Sequence, residues 1–236
     1  SFAQKGTSPH LVYTSLGLYD PALALVSRAY DKRRAMWGPD HAEVASSLNH
    51  LGEVLRLRSD YDAAEQKLRE ALAVRRVLFG NSSAEVAATL SVLAEVLSDK
   101  GEAAAGEPLI REALEIRRRI RGPGHAEVAE SSEDLGVNYY DRGEYEQAET
   151  YLREALAMRR KLHGTKHPAL AQSMDNLAWA LMDLGRWAEA EPLTRIALEM
   201  KRSLYGETHP ETAIGLNNLA YVLEGEGAYA AAEAAY

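Results

Sequence analysis

Histidine and carboxylate are the side chains through which this chain could hold a metal ion or move a proton. It has 7 His and 35 Asp plus Glu among 236 residues. Either chemistry needs several such groups converging on one point. The histidines are instead dispersed. His41, His125, His167 and His209 occupy one position of a 42-residue register, with Ser83 in the remaining place. One imidazole per repeat suits a helix start, as a cap or packed on the preceding loop, and not a shared ion. His163 and His167 have the spacing of a helical ligand pair, but Gly164 lies between them and interrupts the helix that would align them. Each Gly is isolated, so no phosphate-binding loop is present, and no nucleophile motif is found. The chain has no Cys, which excludes thiolate chemistry and disulfides. These residues predict no catalytic site, no metal and no cofactor, and therefore no enzyme.

The register that disperses the histidines organises the whole chain. Gly38, Gly80, Gly122, Gly164 and Gly206 repeat it, as do Leu51, Leu93, Leu135, Leu177 and Leu219. A second series, Gly101, Gly143, Gly185 and Gly227, lies halfway between, with Ser59 replacing it once and Gly17 preceding it. Two breaks per period mean two helices per repeat. Ala42 to about Arg58 predicts a helix A, with Val44, Leu48, Leu51 and Leu55 on one stripe. Tyr61 to about Phe79 predicts a helix B, with Ala64, Leu68, Ala71 and Leu72 on its stripe. Gly80 stands where a left-handed residue closes a helix. Gly52, with Ala94, Gly136, Ala178 and Ala220 in the other repeats, lets neighbouring helices approach closely. On helix B, Glu65–Arg69, Glu107–Arg111, Glu149–Arg153 and Glu191–Arg195 are i, i+4 pairs worth about 0.2–0.5 kcal/mol each.

A pair this short cannot bury its stripe alone; stacking on the next pair does so. The expected fold class is all-α, a right-handed superhelical solenoid of antiparallel helix pairs. It reads as a single domain over residues 1–236. A partial repeat at 10–37 is followed by full repeats at 38–79, 80–121, 122–163 and 164–205 and a truncated one at 206–236. Pro9 falls where the register has Leu, so only about His10 to Leu16 remains of the first helix A. Such ends expose apolar faces, which points to a piece of a longer protein and allows self-association.

Net charge is −8, which argues against nucleic acid as a partner. No apolar run approaches the ~18–20 residues of a membrane span, so no membrane partner is expected. The lack of Cys suits a reducing compartment and a cytoplasmic location.

Leu51-Gly52-x-x-Leu55, then Tyr61-x-x-Ala64, then Leu68-x-x-Ala71 resembles the tetratricopeptide repeat. The 42-residue period, Gly-x-x-His-Pro-x-x-Ala at 164–171 and 206–213, and Leu216-Asn217-Asn218-Leu219-Ala220 resemble the longer repeats of kinesin light chain. The same subtype is found in multi-repeat proteins of bacteria. Ser83 in place of His, and Ala103 in place of the aromatic, depart from the pattern.

Charge separates the two helix layers. The A helices carry fifteen acidic against four basic residues, the B helices twelve against sixteen. The resemblance implies that helix A lines a concave groove. The groove residues are then Asn49, Glu53, Glu95 and Asp99, followed by Glu133, Tyr140 and Asp141. Asp175, Trp179, Asp183, Asn217 and Tyr221 continue them. Aromatics outside the core are typical anchors, and an acidic cleft attracts cations. The expected function is an interaction scaffold that binds a protein or peptide of basic and apolar character. The alternative is a regulatory or sensor segment of a larger signalling protein that docks an effector domain. The plainer reading of the same residues is that acid keeps the solenoid soluble and the aromatics pack between repeats. A basic edge is expected at the ends of the B helices: Arg75, Arg76, Arg117, Arg118, Arg159, Arg160 and Arg202. Cations there also complement the helix C-terminus.

Overall fold

The computed structural model describes residues 9–225, 227–229 and 232. These residues are helical, with no strand among them. The A helices are α1 (Pro9–Ser15), α3 (Ala42–Leu57), α5 (Ala84–Asp99), α7 (Ala126–Asp141), α9 (Pro168–Asp183) and α11 (Pro210–Gly225). The B helices are α2 (Tyr19–Trp37), α4 (Tyr61–Phe79), α6 (Ala103–Arg121), α8 (Tyr145–His163) and α10 (Trp187–Tyr205). The chain divides into two compact units, Ser1–Ile120 and Arg121–Tyr236.

Caps explain why the helices start and stop where they do. The Nδ1 atoms of His41, His125, His167 and His209 each accept the N–H two residues on, at 3.1–3.2 Å. Ser83 does the same work with its hydroxyl, accepting from Val86 N at 3.2 Å. Three of these imidazoles also stack on an aromatic ring that closes the preceding helix B. The pairs are Trp37–His41, His163–His167 and Tyr205–His209, with centroids 4.8, 3.7 and 4.7 Å apart. The register histidines are structural.

In the first unit, α3, α4 and α5 bury Leu68, Leu90, Leu93 and Val96 in one cluster, which Ala113 and Ile116 of α6 join. A second cluster holds Ala22, Val26 and Tyr30 of α2 against Val44, Leu48 and Leu51 of α3. In the second unit the inner faces of α7 to α10 bury Leu135, Leu152, Leu170, Leu177 and Leu181. Leu198, Leu219 and Leu223 join α10 to α11. Within each unit, successive A helices touch: α3 with α5, α7 with α9, and α9 with α11. The B helices are linked instead by long side chains, as in Arg76–Glu112 at 2.8 Å and Arg153–Glu189 at 3.0 Å.

The α1 side of the first unit carries a titratable pair. His10 of α1 and His50 of α3 lie with ring centroids 4.8 Å apart, beside a cavity that Arg33 also lines. Burial pulls the His50 imidazole down to about 4, helped by His10, Arg75 and Arg33 against a weaker opposing pull from Glu43. A depressed histidine is neutral in the folded chain. Its contribution is present above 6.5 and is lost as pH falls from there toward 4. His50→Gln is therefore expected to flatten the fall in stability across that window. The change is roughly 1 kcal/mol, discounted for partial solvent contact. Urea titrations of both chains at pH 7 and pH 4.5 read it. An unchanged difference between the two pH values removes His50 from the account.

Candidate functional site

The register decides which charged side chains face inward. Arg33, Arg75, Arg117, Arg159 and Lys201 share one position on the B helices. Of these, Arg75, Arg117, Arg159 and Lys201 are buried. Arg75 donates to Asn49 Oδ1 at 3.1 Å in α3, and to Glu85 O at 2.9 Å and Thr89 Oγ1 at 2.6 Å in α5. Arg159 sits 2.7 Å from Glu133 of α7 and donates to Ala169 O and Ser173 Oγ of α9, at 2.8 and 2.9 Å. Lys201 pairs with Asp175 of α9 at 2.8 Å and Glu211 of α11 at 3.2 Å. Arg75, Arg159 and Lys201 thus each tie their own helix B to the A helices on both sides of it.

This corrects two expectations. Arg75, Arg117 and Arg159 are buried and do not form an edge; Arg75 and Arg159 are polar cross-links inside their stacks. Asn49, Glu133 and Asp175 do not line an open groove; they are the partners that make those cations tolerable in the interior. Burial pushes the Glu133 and Asp175 carboxyls above the usual range, against the pull of Arg159 and Lys201. The neighbouring cations stay outward. Arg76 pairs with Glu112 at 2.8 Å, Arg118 with Glu115 at 3.2 Å, and Arg202 with Glu199 at 2.8 Å and Glu207 at 3.1 Å. Arg160 is exposed. The four i, i+4 Glu–Arg pairs form, at 2.7–2.8 Å.

The remaining groove residues behave differently in the two units. In the first, Asn49 Nδ2 donates to Glu53 at 2.6 Å, and burial, then Glu95, raises the Glu53 carboxyl. Glu95 and Asp99 hold Arg56, at 2.8 and 2.9 Å. The acid of that face is met by an arginine of the same face. In the second unit the outward residues are aromatic with an acidic rim. Tyr140 donates its hydroxyl to Asp183, and burial first, then this bond, raises the phenol. Trp179 packs against Tyr221 at 5.2 Å, and Tyr221 is 43% exposed. Asp141, Asp183 and Asn217 are exposed. A cavity of about 410 Å³ opens between α7 and α9, lined by Val137, Tyr140, Asp141, Leu152, Asn176 and Trp179.

Two aromatics of the B helices complete this surface and went unnoticed in the sequence. Tyr145 lies 5.5 Å from Tyr140, and Trp187 lies 5.9 Å from Tyr221. Their signal was available: both hold the register position of Tyr61. Among the described residues no group of three or more His, Cys, Asp or Glu is placed to hold a metal ion. None of their helices is long and apolar enough to cross a membrane.

Stacked A/B pairs with small open cavities and a side-chain surface define a helical repeat protein of the interaction type. The sequence matches the tetratricopeptide repeat family at residues 10–76, 85–161, 135–192 and 180–236, and the chain belongs to that family. As such it is a protein-interaction scaffold. Its fold is similar to that of BtubC (BKLC) from P. vanneervenii, with a TM-score of 0.78 and 21% identity over 92% of this chain and 87% of that one. A putative kinesin light chain from Podosopora anserina is also similar, with a TM-score of 0.71 and 19% identity, covering 83% of this chain and 92% of that one. A Rap protein complexed with Competence and Sporulation Factor matches at a TM-score of 0.73 and 18% identity. Of that longer chain, 57% is covered, against 93% of this one. No curated protein sequence is significantly similar.

Proposed function

We propose that the A-helix face of the second unit binds a polypeptide segment of basic and apolar character. The carrying observation is the half-open aromatic group Tyr140, Trp179 and Tyr221, with carboxylates Asp141 and Asp183 beside it. Large rings that are neither fully buried nor dispersed supply anchor area at low entropic cost, and the carboxylates select the sign of the partner. The first unit supplies less, because Arg56 already occupies its carboxylates. The scaffold so described has no catalytic role. The 42-residue units are proposed to act as one domain.

Trp179→Ala is expected to weaken partner binding by more than ~1 kcal/mol while the helical circular dichroism and melting curve are retained. Calorimetric titration of wild type and variant with the same peptide reads this. Equal affinities would mean that the binding face lies elsewhere.

A further inference from the structure

Arg33 holds the B-helix position at which Arg75, Arg159 and Lys201 each meet an acceptor on the preceding A helix. That acceptor stands at one register position: Asn49 for Arg75, Glu133 for Arg159 and Asp175 for Lys201. Two of the three are carboxylates. Among the described residues Arg33 is held from the following side, by α3. It donates to Ser47 Oγ at 2.8 Å and lies 3.0 Å from the half-exposed Glu43. The register position before it is Thr7, outside the described residues, and residues 1–8 contain neither Asp nor Glu.

Beside Arg33 a cavity of about 230 Å³ opens between α1, α2 and α3. Arg33, His10, Ser47 and His50 are its polar lining, and Leu25, Val26 and Ala29 its apolar one. None of these residues is acidic. The sequence gives the cavity a cause. His10 takes the register position of Gly52, Ala94, Gly136 and Ala178, where a small residue lets helix B come close. An imidazole there keeps α1 from closing on α2. Ala29 accordingly stays partly exposed, where Ala71, Ala113, Ala155 and Ala197 are fully buried. His10 Nε2 is buried without a hydrogen-bond partner among the described residues, and the two rings stand 4.8 Å apart. Burial, then His10, Arg75 and Arg33, keeps His50 neutral at pH 7 against the weaker pull of Glu43, and burial also lowers His10. The lining thus offers one guanidinium charge and N–H donors from two neutral rings. That suits a singly charged acceptor with a short apolar arm; a dianion would find too little positive charge.

We propose that the cavity between α1, α2 and α3 binds a carboxylate on a short methylene arm, with Arg33 as its counter-charge, His10 and His50 as donors, and Leu25, Val26 and Ala29 against the arm. The site is separate from the aromatic face of the second unit and does not rest on it. A free carboxylic acid and a Glu side chain of a partner present the same group, and the test uses both. The whole chain, with nitrogen-15 in its histidines, is titrated at pH 6.5 and constant ionic strength. The probes are propionate, a capped Gly-Glu-Gly peptide and, as the neutral control, propionamide. Propionate or the peptide is expected to shift the ring signals of His10 and His50 saturably, and propionamide is not. The tighter of the two charged probes identifies the source. A bound carboxylate favours the imidazolium, so the His50 midpoint rises with ligand and affinity tightens from pH 7.5 to pH 6. Arg33→Gln is expected to weaken binding about tenfold or more. Ala29→Leu fills the cavity, leaves every polar group in place, and is expected to abolish it. No saturable shift with either charged probe, equal affinity for propionamide, or full affinity in Ala29→Leu overturns the site. Inorganic phosphate binding more tightly than both charged probes overturns the carboxylate assignment. The His50 midpoint is read on the wild-type chain, so the test stands if a variant folds poorly.

Discussion

Arg159→Met is expected to destabilise the second unit by about 3–5 kcal/mol, the range for stripping one partner from a buried ion pair. Arg159 is 9% exposed and ties three helices through Glu133, Ala169 O and Ser173. Methionine fills similar space, so the loss reports charge and hydrogen bonds more than volume. What remains is Glu133, 8% exposed, with Ser173 at 2.7 Å and Asn176 to stabilise its charge. Burial already raises this carboxyl; without Arg159 it rises further. The sign of the pH dependence follows. A carboxyl whose folded pKa is raised favours the protonated folded state, so the deficit is largest well above that pKa and shrinks as pH falls through it. Urea titrations of wild type and variant between pH 8 and pH 5 measure both effects. Glu133→Gln added to Arg159→Met should return part of the loss, because an amide is cheaper to bury than an unpaired carboxylate. A deficit below ~1 kcal/mol, independent of pH, would show that the network is relaxed by water and is not a cross-link.

The same network marks where reading the sequence stopped. The period located the helices closely: α3 and α4 run Ala42–Leu57 and Tyr61–Phe79, against expected ends near 58 and 79. Leucine spacing and helix-closing glycines are local signals, and the structure uses them locally. The inward turn of Arg75 and Arg159 is not local. Arg75 and Arg76 are adjacent in sequence and about 100° apart on the helix, so one enters the stack while the other meets Glu112 outside. Arginine is seldom buried, and composition alone assigns both to the surface. The counter-signal was small hydroxyl residues among apolar ones, Ser47, Thr89, Ser131 and Ser173, each at one A-helix position. A buried hydroxyl at a fixed register asks for a buried donor, and Arg33, Arg75 and Arg159 of the preceding helix B supply it to Ser47, Thr89 and Ser173. Likewise Trp179 and Tyr221 were legible as outward aromatics. Their contact needed the stacking of α9 on α11, which no single repeat encodes.

Gly52→Ala is expected to lower the stability of the first unit by about 2 kcal/mol, even though alanine is the better helix former by about 1 kcal/mol. A methyl at position 52 would overlap Leu68 Cγ and lie 2.8 Å from its Cδ2. Leu68 is fully buried in the core between α3, α4 and α5, so it has no empty side to move into. The repeats show how the chain resolves this elsewhere. Gly52 stands opposite Leu68 and Gly136 opposite Leu152, but where the register has alanine, at 94 and 178, the facing residues are Ile110 and Thr194. A β-branched side chain is fixed at χ1 and carries its bulk differently from leucine. Leu68→Ile keeps volume and alone should cost less than about 1.5 kcal/mol. Combined with Gly52→Ala it reproduces the Ala94–Ile110 pairing, so the double variant should be more stable than Gly52→Ala alone. The coupling in the cycle should be about 1 kcal/mol or more, since the two positions are in contact. Chemical denaturation of the four chains gives that coupling directly. Additive effects would mean that the crossing of α3 and α4 adjusts freely. The small residues of the register would then reflect helix propensity and not the distance at which the pair must pack to present its A face.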